Sequence, residues 1–101
     1  MRVIVINGNR MASMEEAHHH IQEKCQFPGY YGKNLDALYD LLSTEDRETL
    51  LLMFDSKGLV KRLGSKGEKL METFQDAALA NQRIHFIRVE RKGRHLQSFV
   101  V

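Results

Sequence analysis

Residues 27–42 read FPGYYGKNLDALYDLL, a loop that runs into an amphipathic helix. Pro28-Gly29 supplies turn chemistry, Asn34 is a good N-cap residue, and Leu35, Leu38 and Leu42 recur at helical spacing. A helix is predicted from about Asn34 to Ser43, with those leucines inward and Asp36, Tyr39, Asp40 and Ser43 on the other side. Apolar runs flank this segment: Val3-Ile4-Val5-Ile6 before it and Leu50-Leu51-Leu52-Met53-Phe54 after it. Both read as strands buried on two faces. Strands separated by a helix need a crossover, which makes the chain an α/β layer around a parallel sheet.

The remaining elements fit that frame. Ser13 followed by Glu16 is a capping box, opening a helix whose inward stripe is Met14, Ala17, Ile21 and Cys25. Residues 56–63 read as a short helix stopped by Gly64. Ser65 and Glu68 form a second capping box, ahead of a helix with Leu70, Met71, Phe74, Ala77 and Ala78 inward. Arg83 to Val89 is a third strand, less buried because His85 and Arg88 interrupt it. Glu90-Arg91-Lys92-Gly93 turns into a short strand ending at Val101. The expectation is one domain over residues 1–101, a three-stranded parallel sheet packed with about four helices, with residues 90–101 an extra tail or edge strand.

Composition excludes several classes. An apolar share of 43% with 28% charged residues suits a soluble globular chain, and no apolar run is long enough to cross a membrane. The amino end has no sustained apolar stretch of the secretory kind, and the lone Cys25 cannot close an internal disulfide. A cytoplasmic location is expected. The net charge of +2 hides an uneven spread. Residues 30–55 carry two basic against six acidic side chains, whereas residues 56–101 carry ten basic against four acidic.

Candidate chemistry narrows quickly. His18, His19 and His20 point about 100° apart on a helix, so they do not converge on one metal ion, and no metal or cofactor is expected. Cys25 closes an apolar stripe and reads as a small buried hydrophobe. Gly58 to Gly67 lacks the phosphate-loop and dinucleotide patterns. The basic residues Arg88, Arg91, Lys92 and Arg94 have few aromatics among them and match no nucleic-acid motif.

Asp36 and Asp40 are the unusual pair. Acid–base catalysis by two carboxylates needs a concave site and unequal environments, which one exposed helix face does not offer. Asp36 suits the first turn of a helix, but Asp40 lies beyond it, and neither has a basic residue four positions on. Like charges at that spacing cost about 0.2–0.5 kcal/mol in a free helix. Unneutralised charge of this kind points outward to a cationic partner. All three tyrosines, Tyr30, Tyr31 and Tyr39, fall within ten residues here, with Tyr31 expected buried and the other two exposed.

These residues closely resemble the signature loop and helix of the barstar family of intracellular ribonuclease inhibitors. The likeness continues through VINGNRMASMEEAHHHI, LLLMF and FQDAALANQRIHFI, covering about residues 3–88, with a small length change between Phe54 and Glu68. It implies a three-stranded parallel sheet with helices and a non-catalytic role. In that family the second helix and preceding loop plug the ribonuclease cleft, with acidic side chains in the sites of RNA phosphates. Carried over residue by residue, Tyr30, Asn34, Leu35, Asp36, Ala37, Tyr39, Asp40 and Ser43 fall on partner-contact positions. Asp40 is then the central phosphate mimic, Asp36 flanks it, and Asp76 is a supporting acid on a later helix. The departures are Lys33 on an acidic face, Tyr39 in place of a tryptophan, Glu45 in place of an aromatic, a basic overall charge, and about twelve residues after the third strand.

The expected function is therefore an inhibitor or immunity protein, not an enzyme, binding a basic ribonuclease toxin as a monomer in a one-to-one complex. No direct nucleic-acid or membrane binding is expected. The alternative is a module that offers the same acidic face to a non-nuclease partner, and a third reading is RNA binding through the basic carboxyl half.

Overall fold

A computed structural model describes residues 1–92 and 95–100, with side chains through Glu90. Strand β1 (Arg2–Asn7) leads through a single 3₁₀ turn (Gly8–Arg10) into helix α1 (Met14–Cys25). Helix α2 (Leu35–Ser43), strand β2 (Thr49–Phe54), helices α3 (Ser56–Leu63) and α4 (Ser65–Ala80), and strand β3 (Ile84–Lys92) follow. Strand β4 (His95–Val100) ends the described chain.

The sheet order is β1-β2-β3-β4. The first three strands are parallel, in the register Val5↔Leu52↔Ile87, as expected of this α/β chain. The fourth adds antiparallel to β3, pairing Ile87 with Val100 and Lys92 with His95. Glu90 to Lys92, expected to turn, are instead the last residues of β3. Residues 93, 94 and 101 lie outside the described residues, as do the side chains of Arg91, Lys92 and Arg94.

One expectation about the strands is corrected. Val3 and Val5 are 54% and 48% exposed, so β1 is not buried on both faces. In β2 the buried residues Thr49, Leu51 and Met53 alternate with half-buried ones. The cause is topological. Parallel strands added in one direction by right-handed crossovers place their helices on one face of the sheet. The covered face carries Ile4, Ile6, Leu51, Met53, Ile84 and Phe86 against Ala17, Ile21, Leu38, Leu70 and Phe74 from the helices.

Two helix starts differ in how well the sequence announces them. At α1, Ser13 Oγ accepts from the Glu16 N–H at 3.1 Å, as the capping box requires. At α4, Ser65 is the first helical residue and Gly64, at φ +61°, takes the cap position with no side-chain bond. The expected second capping box does not form. Gly64 both ends α3 and begins α4, and the tight junction leaves no extended residue for a serine cap.

Helix α3 is capped from a distance. Asp55 sits at its N-cap in the left-handed region and makes no capping bond. Instead the buried Glu90 carboxylate, from β3, accepts from Ser56 Oγ and from the Lys57 N–H at 3.2 Å. Arg88 Nε donates to the same Ser56 Oγ at 2.8 Å. The edge of β1 is partly shielded by α1: His20 Nε2 accepts the Asn7 N–H at 3.1 Å, and Arg2 donates to the Cys25 carbonyl at 3.0 Å.

Candidate partner-binding surface

Helix α2 begins as its sequence dictates. Asn34 is extended, its Oδ1 accepts the Ala37 N–H at 2.7 Å, and its Nδ2 donates to the Gly32 carbonyl at 3.3 Å. Leu38 and Leu42 are buried, and Leu35, Ala37 and Leu41 pack partly against the core. The opposite face carries Asp36, Tyr39 and Asp40, all exposed, with the half-buried Ser43 beyond them. The two carboxylates lie one turn apart on that face.

No described side chain neutralises them. Among the described residues the ion pairs are Glu45–Arg47, Asp55–Arg62 and Glu48–His85, and none involves Asp36, Asp40 or Asp76. Helix α2 also has no basic residue in its last turn; there the Asp40 carbonyl accepts from the Thr44 hydroxyl at 2.6 Å. Glu45, though next in line, leaves this set. It is bonded to Arg47 Nε at 2.7 Å, and that bond holds its carboxyl below the usual range.

The loop before α2 is fastened to α1. Tyr31 is 4% exposed, its hydroxyl lies 2.6 Å from His18 Nδ1, and its ring meets Phe27 at 5.1 Å. Gln22 Nε2 donates to the Pro28 carbonyl at 3.2 Å, and the Tyr31 N–H closes a turn onto the same carbonyl at 3.0 Å. With Tyr31 turned in, Tyr30 is turned out and is 81% exposed, while Tyr39 is 37% exposed. Burial of Tyr31 and exposure of the other two follow the expectation.

Helix α4 packs along α2, and the two carboxyl ends are joined: Asn81 Nδ2 donates to the carbonyls of Leu42 and Glu45 at 2.9 and 2.8 Å. Asp76 is exposed on α4. The structure thus brings Asp36, Tyr39, Asp40 and Ser43 together on one face and presents Tyr30 from the anchored loop. Asn34 is spent mainly on capping, Leu35 and Ala37 mainly on packing. Asp76 stands on a separate element with no described hydrogen bond or ion pair to the others.

Two supports were not legible as such. His18 belongs with the buried side of α1, a property its position 100° from Ala17 signals, yet it reads first as one of three histidines. Asn81 gave no pattern at all, because its partners are distant in sequence. His19 is exposed and His20 is held by the β1 edge, so the three rings do diverge. Burial lifts the Cys25 thiol to about 12, which makes it inert at neutral pH.

As a binding surface the arrangement offers two negative charges, exposed aromatics and a stiffened loop. It is an exposed helix face rather than a cleft. A groove of about 860 Å³ beside α1, lined by Asn7, Glu16, His19, His20 and Lys24 among others, does not include Asp36 or Asp40.

The His18–Tyr31 contact carries a pH dependence. Burial lowers the pKa of His18 from 6.5, so the folded chain holds it neutral while the unfolded chain takes up a proton. Stability from this group is complete above pH 6.5 and is lost as pH falls below that value. Urea midpoints measured between neutral and mildly acid pH should therefore fall more steeply for the natural chain than for His18→Gln. Parallel curves would show that His18 is not held neutral.

A family model described as Barstar (barnase inhibitor) matches residues 1–91. The chain is also similar to a Bacillus subtilis (strain 168) protein named "Putative ribonuclease inhibitor YrdF", with 36% identity over 78 residues, 76% of this chain and 86% of that protein.

Proposed function

Since the chain belongs to the barstar family, we propose that it inhibits a basic ribonuclease by laying α2 and the loop before it into the enzyme's active site. Asp40 occupies a site meant for an RNA phosphate, Asp36 flanks it, and Tyr30, Tyr39, Ser43 and Asn34 surround them. Leu35 and Ala37 contribute edge contact, and Asp76 adds charge from α4. The protein is a binding partner and not itself an enzyme. It acts as an immunity protein or antitoxin, in the cytoplasm, as a monomer in a one-to-one complex.

The observation that carries this reading is the pair Asp36 and Asp40, exposed and in none of the ion pairs among the described residues. A ribonuclease cleft must be cationic to hold RNA, so it supplies the missing counter-charges. Association removes the repulsion between the two carboxylates and gains attraction to the enzyme, which also speeds encounter.

The test is inhibition of a panel of basic ribonuclease toxins at low and high salt. One-to-one inhibition of at least one member, weakening as salt rises, is the expected result. If the protein binds a panel member tightly but leaves cleavage unimpaired, the acidic face serves something other than blocking an active site.

A further inference from the structure

Within residues 27–43, one side chain has the opposite sign to its neighbours. Lys33 is the only basic residue between Phe27 and Asp46, a span that holds Asp36, Asp40, Glu45 and Asp46. It is exposed, and its φ is +53°, in the left-handed region that residues bearing a Cβ seldom adopt. Glycine is the usual occupant of such a position, and Gly32 stands next to it. Yet Gly32 does not take the left-handed conformation. It fills a crowded site instead, where a Cβ would come within 3.3 Å of Asn34 Nδ2 and 3.4 Å of the Ala37 methyl.

The chain thus keeps a lysine where a second glycine would relax the backbone. No packing explains it, since Lys33 is exposed. No described ion pair explains it either, because Lys33 is joined neither to Asp36, one turn on, nor to any other acid. Lys33 borders the groove beside α1 together with Glu15 and His19, a groove that does not include Asp36 or Asp40. Gln26 and Asp55 share the left-handed conformation, so what is particular to Lys33 is its charge: an exposed cation in no described ion pair, close in sequence to two exposed carboxylates.

We propose that Lys33 decides which ribonucleases the acidic face accepts. It penalises a cleft that is cationic throughout and favours one whose rim sets a carboxylate opposite residue 33. This rests on the inhibitory reading above and deepens it. Attraction alone would make Asp36 and Asp40 bind any cationic cleft, and discrimination needs a repulsive element placed against the wrong ones. A rim charge acts chiefly on the rate of encounter and its salt dependence.

Association with barnase, and inhibition of its activity, should be measured for the natural chain and for Lys33→Glu, Lys33→Gly and Asp40→Ala, at low and high salt. Lys33→Glu is expected to associate about 10-fold faster at low salt, with the gap closing at high salt. Lys33→Gly, which removes both the charge and the strained conformation, should fall between the two. Equal rates for the natural chain and Lys33→Glu at low salt would overturn the proposal, as would a gain that salt does not reduce. Should the natural chain fail to inhibit barnase, a gain of inhibition by Lys33→Glu supports the proposal and its absence overturns it. Asp40→Ala separates the two levels. Where the natural chain inhibits, loss of inhibition by Asp40→Ala while Lys33→Glu changes nothing means that the role of Lys33 is wrong and the inhibitory face stands; undiminished inhibition by Asp40→Ala means that the inhibitory face itself is wrong.

Discussion

Asp40→Ala should weaken the complex with the cognate ribonuclease by at least about 2 kcal/mol, roughly thirtyfold in Kd, while leaving the free protein's stability unchanged or slightly raised. Both halves have the same cause. In the free chain Asp40 is exposed, makes no described ion pair, and faces Asp36 one turn away. Removing it relieves a repulsion of about 0.2–0.5 kcal/mol. In the proposed complex the same carboxylate would meet desolvated cations, and truncation would leave those cations buried without a partner. The figure is the general threshold for an interface hot spot. Asp40→Asn should behave like the alanine variant, because charge rather than shape is required. Calorimetric titration reads the binding loss and urea unfolding reads the stability.

The largest expected effect on folding lies elsewhere. Phe74 of α4 and Phe86 of β3 are 0% and 2% exposed, with stacked rings 5.1 Å apart and 9° from parallel. This pair joins the last helix to the third parallel strand across the centre of the core. Phe74→Ala removes a ring that the surrounding sheet and helices cannot fully collapse onto. It should cost about 3–5 kcal/mol, seen as a lower urea midpoint at unchanged slope. Against a total stability of roughly 5–15 kcal/mol, that brings the domain close to unfolding. Phe74→Leu keeps most of the volume and should cost appreciably less. A loss under about 1 kcal/mol for the alanine variant would mean that α4 is not held through this contact.

These two residues also illustrate what a sequence discloses. Phe74 was legible because Leu70, Met71, Phe74 and Ala77 repeat at the helical period and are all buried. The α2 face was legible for the same reason, reinforced by Asn34 at its start. What sequence pattern missed are the connections between segments. Glu90 caps α3 across 34 residues, Asn81 joins α4 to the end of α2, and His18 holds Tyr31. Single polar residues have no period, and their partners are fixed only once the chain has folded. Exposure of Val3 and Val5 was misread because a run of β-branched residues looks alike in a strand covered on one face or two. Only the direction in which strands are added decides that. The same limit applied at Ser65, whose spacing to Glu68 fits a capping box, although the tight junction at Gly64 leaves α4 no extended residue to form one. The left-handed backbone at Lys33 was hidden too, since nothing in the order Gly32-Lys33-Asn34 says which residue takes the strained position.

The most direct test of phosphate mimicry is competition. The cognate ribonuclease is titrated with this protein in the presence of increasing amounts of a short oligonucleotide analogue that fills the active site but resists cleavage. If Asp40 and Asp36 stand in the phosphate sites, binding is mutually exclusive and the apparent Kd rises in proportion to the oligonucleotide present. A ternary complex, formed with undiminished affinity, would contradict the account.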